Sequence, residues 1–229
     1  MTTSSINKSE ALAQLRQQLK GQFAEAHRDY SEKEPCESGI DWLDDGGLFK
    51  GGIFEIVSGP SSSSAGLIGE LLQYTLRHRE RLVLIDAMDA FDPSTLPLFE
   101  QTEQLSGQTH SLAASFLWLR CRSVEESVKI ADLILRDGNL PRVVLDLELA
   151  NAADLRSIPS SSWYRLRSLT EEAGSTCLSL TSRPTLPCAA IRYQLQGEAR
   201  IDRLDGGYRA DRTAGRVMEE KSNIISLAA

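Results

Sequence analysis

The sequence of 229 residues contains no long hydrophobic run, because its uninterrupted apolar stretches cover only a few residues, as in Val143-Val144-Leu145. A membrane-spanning helix needs about 20 apolar residues, so the sequence excludes one. The opening residues, MTTSSINKSEALAQ, lack the positively charged segment and apolar core of a secretory signal. We therefore expect a cytoplasmic protein that makes no membrane contact.

Cysteine and histidine are few and scattered. The sequence has four cysteines and three histidines, without a C-x-x-C pair or the spacing of a zinc site: Cys36, Cys121, Cys177, Cys188, His27, His78 and His110. Because structural zinc depends on such spacing, we expect no bound metal. Reduced, buried thiols are the usual state of cysteines in the cytoplasm.

Basic residues are in deficit, with 25 Lys and Arg against 32 Asp and Glu and a net charge of −7. A broad DNA-binding surface usually has a basic excess, so none is predicted. A local basic cluster, Arg77, Arg79 and Arg81, lies at the end of a predicted helix, where cations complement the helix dipole. The alternative is that these arginines contact the DNA backbone together with Arg120 and Arg122.

Short apolar runs alternate with helical patterns along the middle of the chain. The runs predict strands over 53–58, 82–86, 116–119, 143–147 and 177–181, and the 3.6-residue patterns predict helices over 67–79, 94–105 and 163–173, with a further helix that buries Val124, Val128, Ala131 and Leu135. This alternation predicts an α/β fold with a doubly wound, mostly parallel sheet. A late antiparallel hairpin is expected over 190–196 and 199–204.

The chain length suits one domain with appendages. We expect an N-terminal helix and linker over 1–36, a core over 37–207, and an irregular, flexible tail over 208–229. The helix has an apolar stripe, which either its own domain, another subunit or a partner must cover: Leu12, Leu15, Leu19 and Phe23. The oligomeric state stays open. The apolar end of the tail, Ile224-Ile225-Ser226-Leu227, is either a docking motif or a frayed end.

Two sequence blocks resemble the RecA recombinase family. Residues 38–66 read SGIDWLDDGGLFKGGIFEIVSGPSSSSAG, and residues 82–93 read LVLIDAMDAFDP. The first is similar to the family's G-G-L-x-x-G and E-I-x-G-P elements before the phosphate loop, and the second to its I-D-A-E-x-A-x-D-P strand end. The resemblance covers roughly residues 37–205 and implies a RecA-like core.

The phosphate loop departs from the pattern G-x-x-x-x-G-K-[ST] that nucleotide binding requires. The corresponding residues are Gly59, Pro60, Ser61, Ser62, Ser63, Ser64, Ala65 and Gly66. Ala65 stands in place of the lysine that neutralises phosphate, and Gly66 in place of the hydroxyl that binds Mg²⁺. We expect a vestigial loop without a nucleotide cofactor. The alternative is a retained anion site at the helix N-terminus.

The other catalytic positions have changed as well. By resemblance, Asp146 matches the Walker B aspartate, but Met88 replaces the glutamate that activates water. Ser182-Arg183 replaces the Asn-Gln pair that senses the γ-phosphate. The two segments that the family uses for DNA binding contain no lysine and one arginine each, Arg156 and Arg183. An ATPase and a DNA filament are therefore not expected.

Within the RecA fold, two types of protein with a lost nucleotide site are similar to this chain. The ImuA type is an accessory protein of inducible mutagenesis, whose partner is the ImuB-like Y-family polymerase subunit, with RecA or a weak DNA contact as secondary partners. The SulA type inhibits cell division through FtsZ. The late segments LTEEAG, Arg183-Pro184 and AAIRYQL resemble the ImuA type. We expect a non-catalytic adaptor in translesion synthesis; the alternatives are a SulA-like inhibitor and a deviant ATP-binding paralogue.

Overall fold

The computed structural model of the chain describes residues 33–59, 64–95, 112–196 and 214–220. The chain divides into two units, Met1–Glu34 and Pro35–Ala229, and the fold below is that of the second. Several predictions lie outside the described residues: the stripe of Leu12, Leu15, Leu19 and Phe23, the loop residues 60–63, most of the helix over 94–105, the strand over 199–204, and the end of the tail.

A seven-stranded sheet forms the centre of this unit. Its strands are β1 (Ile53–Ser58), β2 (Leu82–Asp86), β3 (Phe116–Arg120), β4 (Arg142–Leu147), β5 (Thr176–Thr181), β6 (Ile191–Gln196) and β7 (Ala214–Glu220). They lie in the order β3-β2-β4-β5-β1-β6-β7, and every neighbouring pair is parallel except β6 and β7. The predicted α/β class, mostly parallel sheet and late antiparallel strand are confirmed, and the arrangement is consistent with a RecA-like fold.

The helices of this unit connect the strands and cover the sheet. They are α1 (Asp41–Asp44), α2 (Ser64–His78), α3 (Leu112–Ser115), α4 (Val124–Asp137), α5 (Ala152–Ser157) and α6 (Ser160–Ala173), with a 3-10 turn at Pro93–Thr95. The Ser123 hydroxyl caps α4 by accepting the Glu126 N–H at 3.2 Å. Gly174, with φ of 64°, ends α6 as predicted, because glycine adopts the left-handed conformation without steric cost.

Two apolar clusters, one on each face of the sheet, form the core. The first includes the predicted inner face of α4, and Val124, Val128, Ala131 and Leu135 are all buried there, together with Trp163 and Leu166 of α6. The second joins Leu67, Ile68, Leu71 and Leu72 of α2 to Phe54 and Ile56 of β1. Because helices cover both faces, the central strands are buried on both sides, which explains their continuous apolar runs.

Helix α2 differs from its prediction at both ends. It was expected over 67–79, but it begins at Ser64 and ends at His78. Arg79 lies outside the helix with a left-handed φ of 56°. The early start has a physical cause in the tertiary structure, because a distant carboxylate, described below, binds the Ser64 N–H and thereby satisfies a donor at the helix N-terminus.

The C-terminal prediction was wrong for one segment. Residues 214–220 were expected to belong to an irregular tail, but they form β7, which pairs with β6 from Gln196↔Ala214 to Ile191↔Glu220. A side chain at Gly215 would collide with the Trp42 ring of α1, so glycine permits the two to pack closely. The segment AGRVMEE has no alternation of apolar residues that would predict this strand.

Candidate functional site

The carboxyl ends of the parallel strands carry the residues that the resemblance assigns to nucleotide chemistry. The predicted loop runs from Gly59, directly after β1, to the first turn of α2, which consists of Ser64, Ala65 and Gly66. Asp146 lies near the end of β4, directly opposite Asp86 of β2 in the strand register, and Met88 follows β2. Gly59, Ser64, Asp146 and Met88 therefore lie at one edge of the sheet.

A protein carboxylate is bound at the N-terminus of α2. The Ser64 N–H donates to Glu148 Oε2 at 3.2 Å, and the Ser64 hydroxyl donates to the same oxygen. A helix N-terminus favours negative charge because its first N–H groups have no partner within the helix and the dipole is positive there. Glu148 therefore occupies a position that suits an anion.

Asp146 supports this arrangement from the end of β4. Its Oδ1 accepts the N–H of Glu148 at 3.0 Å, which orients the turn that carries the Glu148 side chain. Burial raises the pKa of Asp146 to about 7, and the carboxylates of Glu148 and Asp86 act in the same direction, against the hydrogen bond from Glu148. The Asp146 carboxyl group is therefore partly protonated at neutral pH.

Asp86 has a structural role in the neighbouring turn. Its side chain accepts the N–H groups of Ala90 at 3.0 Å and Phe91 at 2.9 Å, and the indole N–H of Trp118 at 3.3 Å. It is 1% exposed, so these bonds replace its hydration. Asp86 therefore fixes the turn after β2.

Two further aspartates near the same turn have local partners. Asp89 forms an exposed ion pair with Arg120, which lowers the pKa of Asp89 through a hydrogen bond. Asp92 accepts the N–H of Ser94 at 2.9 Å and its hydroxyl at 2.7 Å. In the parts of the chain that the structure describes, no three His, Cys, Asp or Glu side chains are grouped as metal ligands.

Met88 occupies the position that the resemblance gives to a catalytic glutamate. It is 38% exposed and lies between Ala87, whose N–H bonds to the Asp146 carbonyl at 3.1 Å, and Asp89, which has a left-handed φ of 53°. A thioether cannot take a proton from water at neutral pH. The turn after β2 therefore presents an apolar side chain, and it supplies no general base at this position.

The predicted basic cluster does not form one surface. Arg77, Arg79 and Arg81 precede β2 at the amino edge of the sheet, whereas Arg120 and Arg122 lie at the carboxyl end of β3. The five residues of β2 separate these edges by about 16 Å, at about 3.3 Å per residue. Arg120 is also engaged by Asp89, and its guanidinium lies 5.1 Å from the Trp118 ring centroid.

Sequence reasoning assigned no role to Glu148 or to a buried ion pair at Glu55. Glu55 of β1 is fully buried, and Arg192 of β6 donates to its Oε2 at 2.7 Å. Its Oε1 accepts the N–H groups of Thr185 at 2.6 Å and Leu186 at 3.1 Å. A glutamate inside the apolar strand IFEIVS was the available signal for this pair.

The Glu55 pair anchors a segment that the resemblance assigns to DNA binding. Arg192 also donates to the Leu186 carbonyl at 3.1 Å, and the Cys188 thiol donates to the Trp163 carbonyl at 3.1 Å. Exposed Arg183 lies at the start of this anchored loop, and exposed Arg156 lies in the last turn of α5. The loop after β5 is thus tied to both β1 and α6.

This edge differs in three respects from the nucleotide site that the resemblance implies. The position for an anion is bonded to a carboxylate, the position for a general base holds a methionine, and no lysine occurs in the sequence between Lys50 and Lys129.

No model of a known protein family matches the chain, and no curated protein matches it. The described helices include none that is both long and apolar enough to cross a membrane.

Proposed function

We propose that this protein is a non-catalytic adaptor of RecA type that acts in the cytoplasm in damage-induced translesion synthesis. Its partner in this proposal is an ImuB-like Y-family polymerase subunit, bound through protein contacts. RecA and a weak DNA contact are secondary partners. The proposal rests on the RecA-like sequence blocks, the ImuA-like late segments and the chemistry at the carboxyl edge of the sheet.

One observation supports the non-catalytic role above the others. The N–H and hydroxyl of Ser64, at the start of α2, both donate to the Glu148 carboxylate. A nucleotide phosphate at this position would meet a negative charge where the phosphate loop normally supplies an ammonium group. Nucleotide hydrolysis at this site is therefore electrostatically disfavoured, which supports the non-catalytic part of the proposal.

The adaptor role is tested by size-exclusion chromatography with light scattering, on the full chain alone and mixed with an ImuB-like polymerase subunit. We expect a complex of defined stoichiometry that persists at moderate salt. Separate variants lacking residues 1–32 or 221–229 locate the interface without removing β7. Absence of a complex at low and moderate salt, together with binding to FtsZ, would overturn the proposal in favour of a SulA-like role.

The non-catalytic role is tested by thermal unfolding with and without Mg-ATP. A ligand that binds only the folded state raises the melting temperature in proportion to the logarithm of its concentration. We expect the melting temperature to stay unchanged as Mg-ATP increases, and no phosphate release above that of a buffer control. A concentration-dependent rise would support a deviant ATP-binding paralogue instead.

A further inference from the structure

The loop between β5 and β6, residues 182–190, has an exposed tip and a buried base. Its tip consists of Ser182, Arg183 and Pro184, which are all exposed, whereas Leu186 further along is fully buried. A surface loop can satisfy its backbone groups with water. Here the protein itself supplies partners for the backbone directly after the tip, so the tip is carried on a fixed support.

Buried side chains of two strands form this support. Glu55 Oε1 of β1 accepts the N–H groups of Thr185 at 2.6 Å and Leu186 at 3.1 Å. The same oxygen accepts the hydroxyl of Thr181 at 3.0 Å. Arg192 of β6 donates to Glu55 Oε2 at 2.7 Å and to the Leu186 carbonyl at 3.1 Å. One ion pair therefore holds both backbone groups of Leu186 and the N–H of Thr185.

Stability alone gives little reason for an ion pair at this place. Apolar side chains of similar size often stabilise a core at least as well as a buried ion pair, because buried charges lose their hydration. Only polar side chains at positions 55 and 192, however, can bond to the loop backbone. Pro184 and Pro187 restrict the backbone torsion φ further. The tip therefore has little conformational entropy left to lose when it binds a partner.

The guanidinium group of Arg183 is available at this tip. Its backbone is held, because the Thr185 hydroxyl donates to the Arg183 carbonyl at 2.8 Å. Among the described residues, no acceptor binds its side chain, whereas Arg120 and Arg136 are paired with aspartates. A planar guanidinium group binds a carboxylate through two parallel hydrogen bonds. Pro184 beside it adds an exposed apolar surface.

We propose that the tip of this loop is a docking site for an acidic segment of a protein partner, in which a carboxylate of the partner binds Arg183. Glu55 and Arg192 are positioning residues, because they fix the loop that carries Arg183. This inference rests on the proposed function, whose polymerase subunit is the partner. A DNA backbone fits the tip less well, because its binding depends on several cations, and the loop has one arginine and no lysine.

Isothermal titration calorimetry of the full chain with an ImuB-like polymerase subunit, at moderate salt, tests the docking site. We expect Arg183→Glu to weaken binding at least ~10-fold, because it places a carboxylate against the carboxylate of the partner. Arg183→Lys retains the charge without the planar fork and should weaken binding about 3-fold. Arg81→Glu, an equal charge reversal at the opposite edge of the sheet, should bind like the unchanged chain, because salt screens charges over that distance.

The positioning role is tested on the double variant Glu55→Met/Arg192→Met, which keeps Arg183 and removes both buried charges. We expect it to bind the subunit roughly 3- to 10-fold more weakly, since the loop must then be ordered on binding. Its Thr185 and Leu186 amides should exchange with solvent at least ~10-fold faster, measured by NMR, while the amides of β5 keep their rates. If this variant does not fold, Thr185→Ala removes the hydroxyl that holds the Arg183 carbonyl and should weaken binding about 3-fold.

The outcomes separate this inference from the proposed function. Equal binding of the subunit by Arg183→Glu and by the unchanged chain would overturn the inference and leave the proposed function intact. No binding by the unchanged chain would refute the proposed function and the docking site with it. Fluorescence anisotropy with a single-stranded oligothymidine adds a third comparison, since a loss of DNA affinity in Arg183→Glu without a loss of subunit binding would identify a DNA contact and overturn the inference. Positioning variants that fold and bind like the unchanged chain would overturn the positioning role.

Discussion

Two groups of buried or partly buried carboxylates lie in the same sheet, and they are stabilised in different ways. Near β1 and β6, fully buried Glu55 is paired with Arg192 at 2.7 Å. At the ends of β2 and β4, Asp86, Asp146 and Glu148 accept bonds from backbone N–H groups, the Trp118 indole and the Ser64 hydroxyl. We call these the paired group and the edge group.

The difference shows what each group does for the protein. An arginine beside Glu55 compensates its buried charge directly, which suits a permanent structural link between β1, β6 and the loop after β5. Among the described residues, no cation is paired with the edge group, and burial, with the neighbouring carboxylates, raises the pKa of Asp146 to about 7. Incompletely compensated carboxylates cluster at functional edges, whereas the paired group resembles ordinary structural support.

The largest effect should come from breaking the paired group. Arg192→Met leaves Glu55 buried without its cation, so we expect the free energy of unfolding to fall by roughly 3–5 kcal/mol, measured with urea. Arg156→Met, on the exposed side of α5, should change it by less than about 0.5 kcal/mol. Adding Glu55→Met to Arg192→Met should recover much of the loss. If the single variant lost less than about 1 kcal/mol, the structural role of the pair would be contradicted.

The second prediction concerns the pH dependence of the edge group. Asp146 has a folded pKa of about 7 against an ordinary value of 3.8. Between these values the folded chain holds a proton that the unfolded chain has released, so this carboxyl lowers stability as pH rises from about 4 to about 7. Asp146→Asn retains an oxygen for the Glu148 N–H and removes the titration.

Urea unfolding from pH 4 to pH 8 measures this effect. At pH 8 we expect Asp146→Asn to be more stable than the unchanged chain by roughly 1–3 kcal/mol, and at pH 4 about equal to it. Parallel pH curves for the two proteins would show that Asp146 titrates as in the unfolded chain. The distinction between the paired group and the edge group would then fail.

A smaller effect is expected when the edge group loses one donor. Ser64→Ala removes the hydroxyl that binds Glu148 and retains the N–H bond of 3.2 Å. We expect a loss of about 1 kcal/mol in the free energy of unfolding, because one hydrogen bond to a charged oxygen is lost while the other remains. Ser182→Ala, in an exposed loop position, is the matched control. Identical urea midpoints for the two variants would argue against a stabilising Ser64–Glu148 contact.

The smallest effect should come from the exposed ion pair beside the edge group. Asp89→Asn removes the ion pair with Arg120, but both side chains are in contact with water and the pair is screened by salt. We expect its urea midpoint to equal that of the unchanged chain within error at moderate salt. A loss as large as that of Ser64→Ala would mean that the turn after β2 depends on this pair.

Most of the sheet was predictable from the sequence because strands buried on both faces consist of continuous apolar runs. Runs such as LVLID and VVLDL are apolar throughout, and they became β2 and most of β4. The inner face of α4 was equally clear from its 3.6-residue spacing. Strand β7 has no such apolar run. Its segment, AGRVMEE, pairs with β6, and the Trp42 ring packs on Gly215, and neither contact is visible in the local sequence.

The candidate site was predictable only in part. The motif comparison assigned the loop and Met88 to positions of a nucleotide site, and the structure shows that the residues flanking the loop and Met88 lie at one edge of the sheet. The charge pattern grouped Arg81 with Arg120, which the sheet separates by about 16 Å, because charge alone does not show at which end of a strand each arginine lies. The contact of Glu148 with Ser64 joins two segments that no local pattern connects.

The sequence by itself determined the class of fold and the absence of a G-K-[ST] ending at residues 64–66, because apolar periodicity and the identity of side chains are local properties. The tertiary structure decided which charges meet: it placed Arg192 on Glu55, separated the arginines between two edges, and brought Glu148 to the N-terminus of α2. Such pairings depend on strand order and register, which bring distant residues together. The contact between Glu148 and Ser64 therefore joins residues whose separate positions in the sequence give no sign of it.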